Sequence, residues 1–318
     1  MLTIGITFWE KDYQLFDSVI SQINERVKVP FELIVIDNTE GNKLGDKATF
    51  AFGYNAHQFA ARYKIIKLAK GDYIWFVDGD DEVLEIDDTL FAESFDVLCA
   101  SYISRGLTEI LPEKEWTDND HWDLMQNGIG QMLWNKIIKT EMFDNIDDYV
   151  DNPLLNVCSL EDTFYVAVAL KNANTVLSTD KVIYNHNQGY SDATAIDNNG
   201  FENLVTGFND ILVLFDKLGY DTERIKQHHF EYFLMFVGQS ENPGFVLGKI
   251  LELFKEKEYW DKNYYRIIMN FHRKADYDWF KGAFIERFGE VPKMCCIEEH
   301  DDGTTKEIYF ESIPEYND

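Results

Sequence analysis

The chain is short of cysteine, short of basic charge, and without any long apolar run. Its four cysteines form no CxxC pair, and Cys295 and Cys296 are adjacent. That usage argues against a zinc site and a disulfide framework and fits a reducing, cytoplasmic setting. Lys plus Arg number 29 against 57 Asp plus Glu, a formal net charge of -28. Such a surface repels nucleic acid and anionic membrane unless a local basic patch overrides it. No apolar stretch reaches bilayer-spanning length. The opening run Leu2 to Trp9 turns charged at Glu10-Lys11, too soon for a signal-peptide core, and reads as a strand. Internal repeats and low-complexity tracts are missing as well.

What is there is the material of a large core. Of 318 residues, 45% are hydrophobic and 15% aromatic, enough for one sizeable domain or a domain with an appendage. Residues 2–8 read as a buried strand, and Leu15, Phe16, Val19, Ile20 and Ile23 give a helical period within Asp12 to Arg26. Phe31 to Ile36 reads as a second strand ending at Asp37-Asn38. His57 to Ala69 reads as a helix closed by Gly71, and Tyr73 to Val77 as a third strand running into Asp78. This alternation predicts an α/β fold with a mainly parallel sheet flanked by helices, in which ligands bind at the strands' carboxyl ends. Thr7, Asp37 and Asp78 all stand at such ends.

Further along, Phe95 to Tyr102 predicts a strand, Gln131 to Phe143 a strand leading into a helix, and Glu161 to Lys171 a helix. Val176 to Ser178 and Lys181 to Tyr184 read as two short strands. From Phe201 the periods turn helical, which places a boundary near residue 197 and leaves a mostly helical region, 198–318, with an acidic tail after Glu298.

Asp78-Gly79-Asp80-Asp81 is the motif with the clearest chemistry. Carboxylates at a strand end hold a divalent cation that bridges a diphosphate and neutralises its charge as it leaves. The glycine lets the backbone turn and approach the ligand. An acidic turn capping a strand would look the same in so acidic a chain. Asp37-Asn38 could accept from a nucleobase N–H or a sugar hydroxyl, or simply form a turn. Arg62 could reach the crevice and pair with Asp78, or sit on a solvated helix face. Glu161-Asp162 could supply a general base, or be acids favoured by a helix N-terminus. His186 is a candidate third metal ligand or phosphate contact, against the commoner structural role.

In their order and spacing these segments resemble the family 2 glycosyltransferases, over most of residues 1–195. Ile4-Gly5-Ile6-Thr7-Phe8 is similar to that family's first strand, and Phe31 to Asn38 to its second with the acidic donor contact. Asn55 with Ala61-Arg62-Tyr63 resembles its Asn…Ala-Arg-Asn segment, and Lys70 to Asp81 its strand and DXD motif. Trp134-Asn135-Lys136 with Phe143 resembles its acceptor-side segment, and Glu161-Asp162-Thr163-Phe164 its Glu-Asp motif. Val182-Ile183-Tyr184 with Ser191 is similar to its closing strand and loop. The departures are Thr7-Phe8-Trp9-Glu10 for the usual Pro-Thr-Tyr-Asn, Tyr63 for Asn, and no Arg near Tyr184.

The resemblance implies a GT-A nucleotide-sugar-binding catalytic domain over 1–197, with 198–318 as a helical subdomain for acceptor or oligomer contacts. It implies an inverting transfer, by single displacement, from a nucleotide-diphosphate sugar, UDP favoured, onto an acceptor hydroxyl. Thr7, Phe8, Asp37, Asn38, Arg62, Asp78 and Gly79 would line the donor site, with Asp37 and Arg62 on the nucleoside. Asp78 and Asp80 would hold Mn or Mg, and Asp162, flanked by Glu161, would be the base. The acceptor is expected to be a glycan or glycolipid. A nucleic acid would need the one basic, aromatic-laced stretch, Lys262 to Lys274, to overcome the net charge of -28. Two other classes compete. A nucleotidyltransferase would carry a Gly-rich basic loop after the first strand, and Glu10-Lys11-Asp12 offers none. A non-catalytic binding module would keep the fold without the chemistry, and the intact Asp78, Asp80, Asp81 and Asp162 speak against that.

Overall fold

The computed structural model describes residues 1–9, 15–54, 56–104, 106–117, 121–152, 160–186, 198–239 and 243–255. Beyond these it describes 260, 281–282, 284–287, 289, 295–299 and 305–309. They belong to two compact units: Met1–Ser191 with Thr206–Tyr220, and Asp192–Val205 with Asp221–Asp318.

The first unit is built on a mixed, mostly parallel sheet flanked by helices. Its left half is β3 (Phe50–Ala51), β2 (Phe31–Asp37), β1 (Leu2–Phe8) and β4 (Tyr73–Asp78), in that order and all parallel. β1 lies between β2 and β4, and all seven of its residues are buried, Thr3 and Thr7 included, as a central strand covered on both faces requires. The sheet continues through β9 (Lys136–Lys139), antiparallel to both neighbours, to β6 (Val97–Ser104) and β10 (Val176–His186), which are parallel to each other. Short strands β5 (Glu82–Val83), β7 (Leu107–Glu109) and β8 (Lys114–Trp116) add antiparallel edges.

Helices α1 (Phe16–Arg26) and α2 (His57–Leu68) make the crossovers between parallel strands. α1 buries Phe16, Val19 and Ile23, the spacing of one helical face. α2 packs so close to β1 that a Cβ at Gly5 would lie 2.3 Å from Ile65 Cγ2, so only glycine fits there. Successive strand residues face opposite sides. Gly5 and Thr7 therefore face α2, while Phe8 faces α1 and meets Phe16 ring edge to face at 5.2 Å.

Two sequence expectations need correction. Val176 to Tyr184 is one strand, β10, whose register against β6 slips between Thr179 and Val182; the polar Thr179-Asp180 pair marks a bulge, not an exit from the sheet. After β9 comes one 3-10 turn, Thr140–Phe143, in place of a helix. The start of the first helix at Asp12 lies outside the described residues, and α1 is described from Phe16.

α3 (His121–Asn127) and α4 (Glu161–Asn172) complete the first unit, with the later turns of α5 (Asn198–Leu218). Phe215 of α5 meets Trp122 and Phe164, each at 6.1 Å between ring centroids, which ties Thr206–Tyr220 to the first unit. The second unit is helical. It contains α6 (Thr222–Gln239) and α7 (Pro243–Leu253), an aromatic cluster of Phe230, Phe233, Phe254 and Trp260, and a two-stranded ladder of β11 (Cys295–Glu299) and β12 (Thr305–Tyr309). The basic stretch Lys262 to Lys274 and the tail after Tyr309 lie outside the described residues. No helix among the described residues is long and apolar enough to cross a membrane.

Candidate functional site

The parallel register aligns the ends of three strands: Thr7 stands beside Asp78, and Phe8 beside Asp37. Thr7 is 2% exposed, and its hydroxyl has no hydrogen-bond partner among the described residues. A buried hydroxyl left unpaired is costly.

Arg62 is the hub. It is buried in α2, and its guanidinium reaches Asp78 Oδ1 at 3.2 Å, Glu161 Oε1 at 3.2 Å, and Asp162 Oδ1. Its Nε has no hydrogen-bond partner among the described residues. Gln58, one helical turn earlier, donates to the same Asp78 Oδ1 at 2.8 Å. The solvated-face alternative for Arg62 therefore fails. Gln58 was missed; its i−4 spacing from Arg62 was the available signal. Burial raises the pKa of Glu161 above its ordinary value; Arg62 opposes this and Asp78 adds to it.

The Asp78 to Asp81 turn is pinned from β10. Tyr184 donates its hydroxyl proton to Asp81 Oδ2 at 2.7 Å, and its oxygen accepts the Asp78 N–H at 2.9 Å. Burial and the two nearby carboxylates push the Tyr184 phenol well above its ordinary pKa, so it stays a neutral donor. Asp81 is buried, whereas Asp80, next to Gly79 in the turn, is only half-buried.

The two catalytic candidates open α4, where the helix dipole favours acids. Leu160 before them has φ 64°, a left-handed turn into the helix. Asp162 Oδ2 accepts the Leu133 N–H at 3.2 Å, and the Thr163 hydroxyl donates to Gln131 at 2.9 Å. Thr7, Arg62, Asp78, Glu161 and Asp162 thus come together from β1, α2, β4 and α4, along with Gly79 and Asp80 in the turn.

Other candidates stand apart. Phe8 is core, and its carbonyl accepts the Asn38 N–H at 2.9 Å. Asp37 shares Phe8's face of the sheet, away from Arg62. Both its oxygens serve its own loop: Oδ1 accepts from Thr39 N–H and hydroxyl, and Oδ2 from Leu44 N–H. The Asn38 side chain ties β2 to the start of α2, accepting from Ala56 N–H at 2.9 Å and donating to His57 O at 3.2 Å.

His186 does not join Asp78 and Asp80 in a metal-binding group. No cluster of three or more His, Cys, Asp or Glu side chains able to hold a metal is found among the described residues, and the His186 ring lies flat against Trp134 at 5.1 Å. Trp134, Asn135 and Lys136, expected on the acceptor side, are buried at 6%, 0% and 0% exposure. The Lys136 ammonium donates to Ile129 O, Met132 O and Asn135 Oδ1, so it faces inward and not toward an acceptor.

No protein-family model matches the chain, and no curated protein matches it. Solved structures do. S. aureus TarS 1-349 in complex with UDP-GlcNAc is 16% identical, with a TM-score of 0.58 over 100% of this chain and 99% of that one. The same fragment in complex with UDP is 15% identical, with a TM-score of 0.50 over 98% of each chain. At such identity the likeness is one of fold.

Proposed function

We propose that the chain is a glycosyltransferase that moves a sugar, with inversion, from a UDP-sugar onto an acceptor hydroxyl of a glycan or glycolipid. One observation carries this reading: two buried, unpaired polar atoms, Thr7 Oγ1 and Arg62 Nε, belong to the same strand-end constellation as Asp78 and Asp162. The likeness in fold to a chain that binds UDP-GlcNAc supports the choice of donor. Four cysteines without a CxxC pair support a cytoplasmic setting.

The residues fit a divalent cation. Asp78 keeps Oδ1 on Gln58 and Arg62, and Asp80 is half-buried in the turn beside it. Two carboxylates complete a hard cation's shell only together with donor phosphates and water, in keeping with the lack of a three-ligand protein cluster among the described residues. The cation, Mn or Mg, would neutralise the departing diphosphate. Asp162 takes the proton of the attacking hydroxyl, and the Leu133 N–H fixes which of its oxygens is turned away. Arg62 holds Asp78 and Asp162 in one frame, so donor and base keep a set separation. Tyr184 keeps the Asp78 to Asp81 turn rigid.

The test is UDP release and sugar transfer from a panel of UDP-sugars with Mn, read by NMR for the anomeric configuration of the product. Metal-dependent turnover with inversion, lost in Asp80→Ala and Asp162→Asn, is expected. Turnover of a nucleoside triphosphate with a sugar phosphate would make the chain a nucleotidyltransferase. Nucleotide-sugar binding without turnover of any donor would make it a binding module.

A further inference from the structure

We infer that Lys136 is a positioning residue: its buried ammonium knots the loop 129–135 so that the Leu133 N–H meets Asp162. The inference rests on the proposed role of Asp162 as base.

An ammonium has three donors and no acceptor. Lys136 has three acceptors within reach, Ile129 O at 3.1 Å, Met132 O at 2.5 Å and Asn135 Oδ1 at 2.8 Å. Donors and acceptors match in number, and no carboxylate is involved. The side chain is fully buried, and its strand partner across β6 is Cys99. Burial pushes the Cys99 thiol up to about 11, so it offers no counter-charge. Burial likewise pulls Lys136 down to about 8. An ion kept in such a place is expensive unless neighbouring dipoles replace its water.

Those dipoles belong to the loop that carries the catalytic contact. Between the Ile129 and Met132 carbonyls and Asn135 lie Gln131 and Leu133. Gln131 accepts from Thr163, and Leu133 donates to Asp162 Oδ2. The two partners, Asp162 as acceptor and Thr163 as donor, stand in the first turn of α4. The loop's far end is fastened to the sheet: Asn135 exchanges hydrogen bonds with Ala100, and the Trp134 carbonyl accepts from Trp75 at 2.7 Å. Lys136 ties the Ile129 end, whose N–H is held by Leu124 O at 3.0 Å, to this anchor. Without it, the buried Ile129 carbonyl and the part-buried Met132 carbonyl lose their donor, and the turn that aims Leu133 keeps only the backbone bond from Lys136 N–H to Leu133 O at 3.1 Å. A neutral side chain of the same length would fill the space but not close the knot.

The experiment uses wild type, Lys136→Met, Thr163→Val and Asp162→Asn, with amide exchange across 127–136 and UDP release from UDP-GlcNAc with Mn as readouts. Lys136→Met is expected to speed exchange at Leu133 by about tenfold or more. It is also expected to lower kcat by about tenfold to a hundredfold with the donor KM within about twofold. Thr163→Val, which cuts only the second tether, should move both readouts less and in the same direction, and it serves if Lys136→Met fails to fold. In an Asp162→Asn background Lys136→Met should cost no further turnover. Unchanged exchange at Leu133 would overturn the inference, as would an equal loss of kcat with and without Asp162. If wild type releases no UDP, or Asp162→Asn retains full turnover, the functional reading fails instead, and the exchange result still decides whether Lys136 holds the loop.

Discussion

Two buried cations organise the first unit, and they are solvated in opposite ways. Arg62, at the ends of β1 and β4, is ringed by Asp78, Glu161 and Asp162. Lys136, at the head of β9, is ringed by two carbonyls and an amide. Arg62 leaves a guanidinium nitrogen unpaired, whereas Lys136 spends all three donors. The difference separates a site from a strut. Where ionised partners and vacant valences coexist, an incoming charged ligand can rearrange the cluster. Where neutral dipoles saturate an ion, nothing is left for a ligand to do.

The comparison can be sharpened first at its catalytic end. Asp162→Asn should lower kcat by about 10²–10⁴-fold with little change in donor KM, measured by steady-state UDP release. Next come the cations themselves. Arg62→Met should cost about 3–5 kcal/mol at pH 7, because it leaves three part-buried carboxylates unbalanced. The Glu161 pKa, already raised by burial, rises further without Arg62. A carboxylate with a raised folded pKa contributes stability that is lost as pH rises, so the deficit of Arg62→Met should shrink between pH 7 and 4. Lys136→Met should cost about 3 kcal/mol through its orphaned acceptors, and this deficit should stay flat over the same range. It should instead grow between about pH 8 and 10.5. There the unfolded lysine still holds its proton and the buried one, at about 8, has released it. Melting curves of both variants across pH would check the contrast, and parallel curves would break it.

Tyr184→Phe keeps the ring against Trp134 but removes the hydroxyl between Asp78 and Asp81. It should cost about 1–3 kcal/mol and weaken metal-dependent nucleotide binding, as read by calorimetry. At neutral pH the smallest effect is expected in the second unit. There His229 is buried in α6 with Nδ1 on Ile225 O, and burial lowers its pKa to about 4. The unfolded histidine takes up a proton first, so stability should fall as pH drops from 6.5 toward 4, and His229→Gln should flatten that slope.

How much of this was legible beforehand follows the range of the interactions. β1, β2 and β4 were plain because each is a largely apolar run stopped by charge, at Glu10 after the first and at Asp37 and Asp78 in the other two. Their parallel pairing followed from the helices between them. The direction of Arg62 was not legible, because α2 buries Phe59, Ala60, Ala61, Ile65 and Ile66 around it and offers no clean stripe. Tyr184 meets the Asp78 turn across about a hundred residues, a distance no local pattern spans. Lys136 was misread for a different reason. Its acceptors are near in sequence, but a lysine reads as surface unless the loop that folds over it is known.

The central claim is that the end of β4 receives a nucleotide diphosphate. Calorimetric titration of UDP, GDP, CDP and ADP, each with and without Mn, tests it most directly in wild type and Asp80→Ala. The account predicts Mn-dependent binding of UDP in preference to the others, abolished in Asp80→Ala. Equal binding in both proteins, or binding of none of the four, would contradict it.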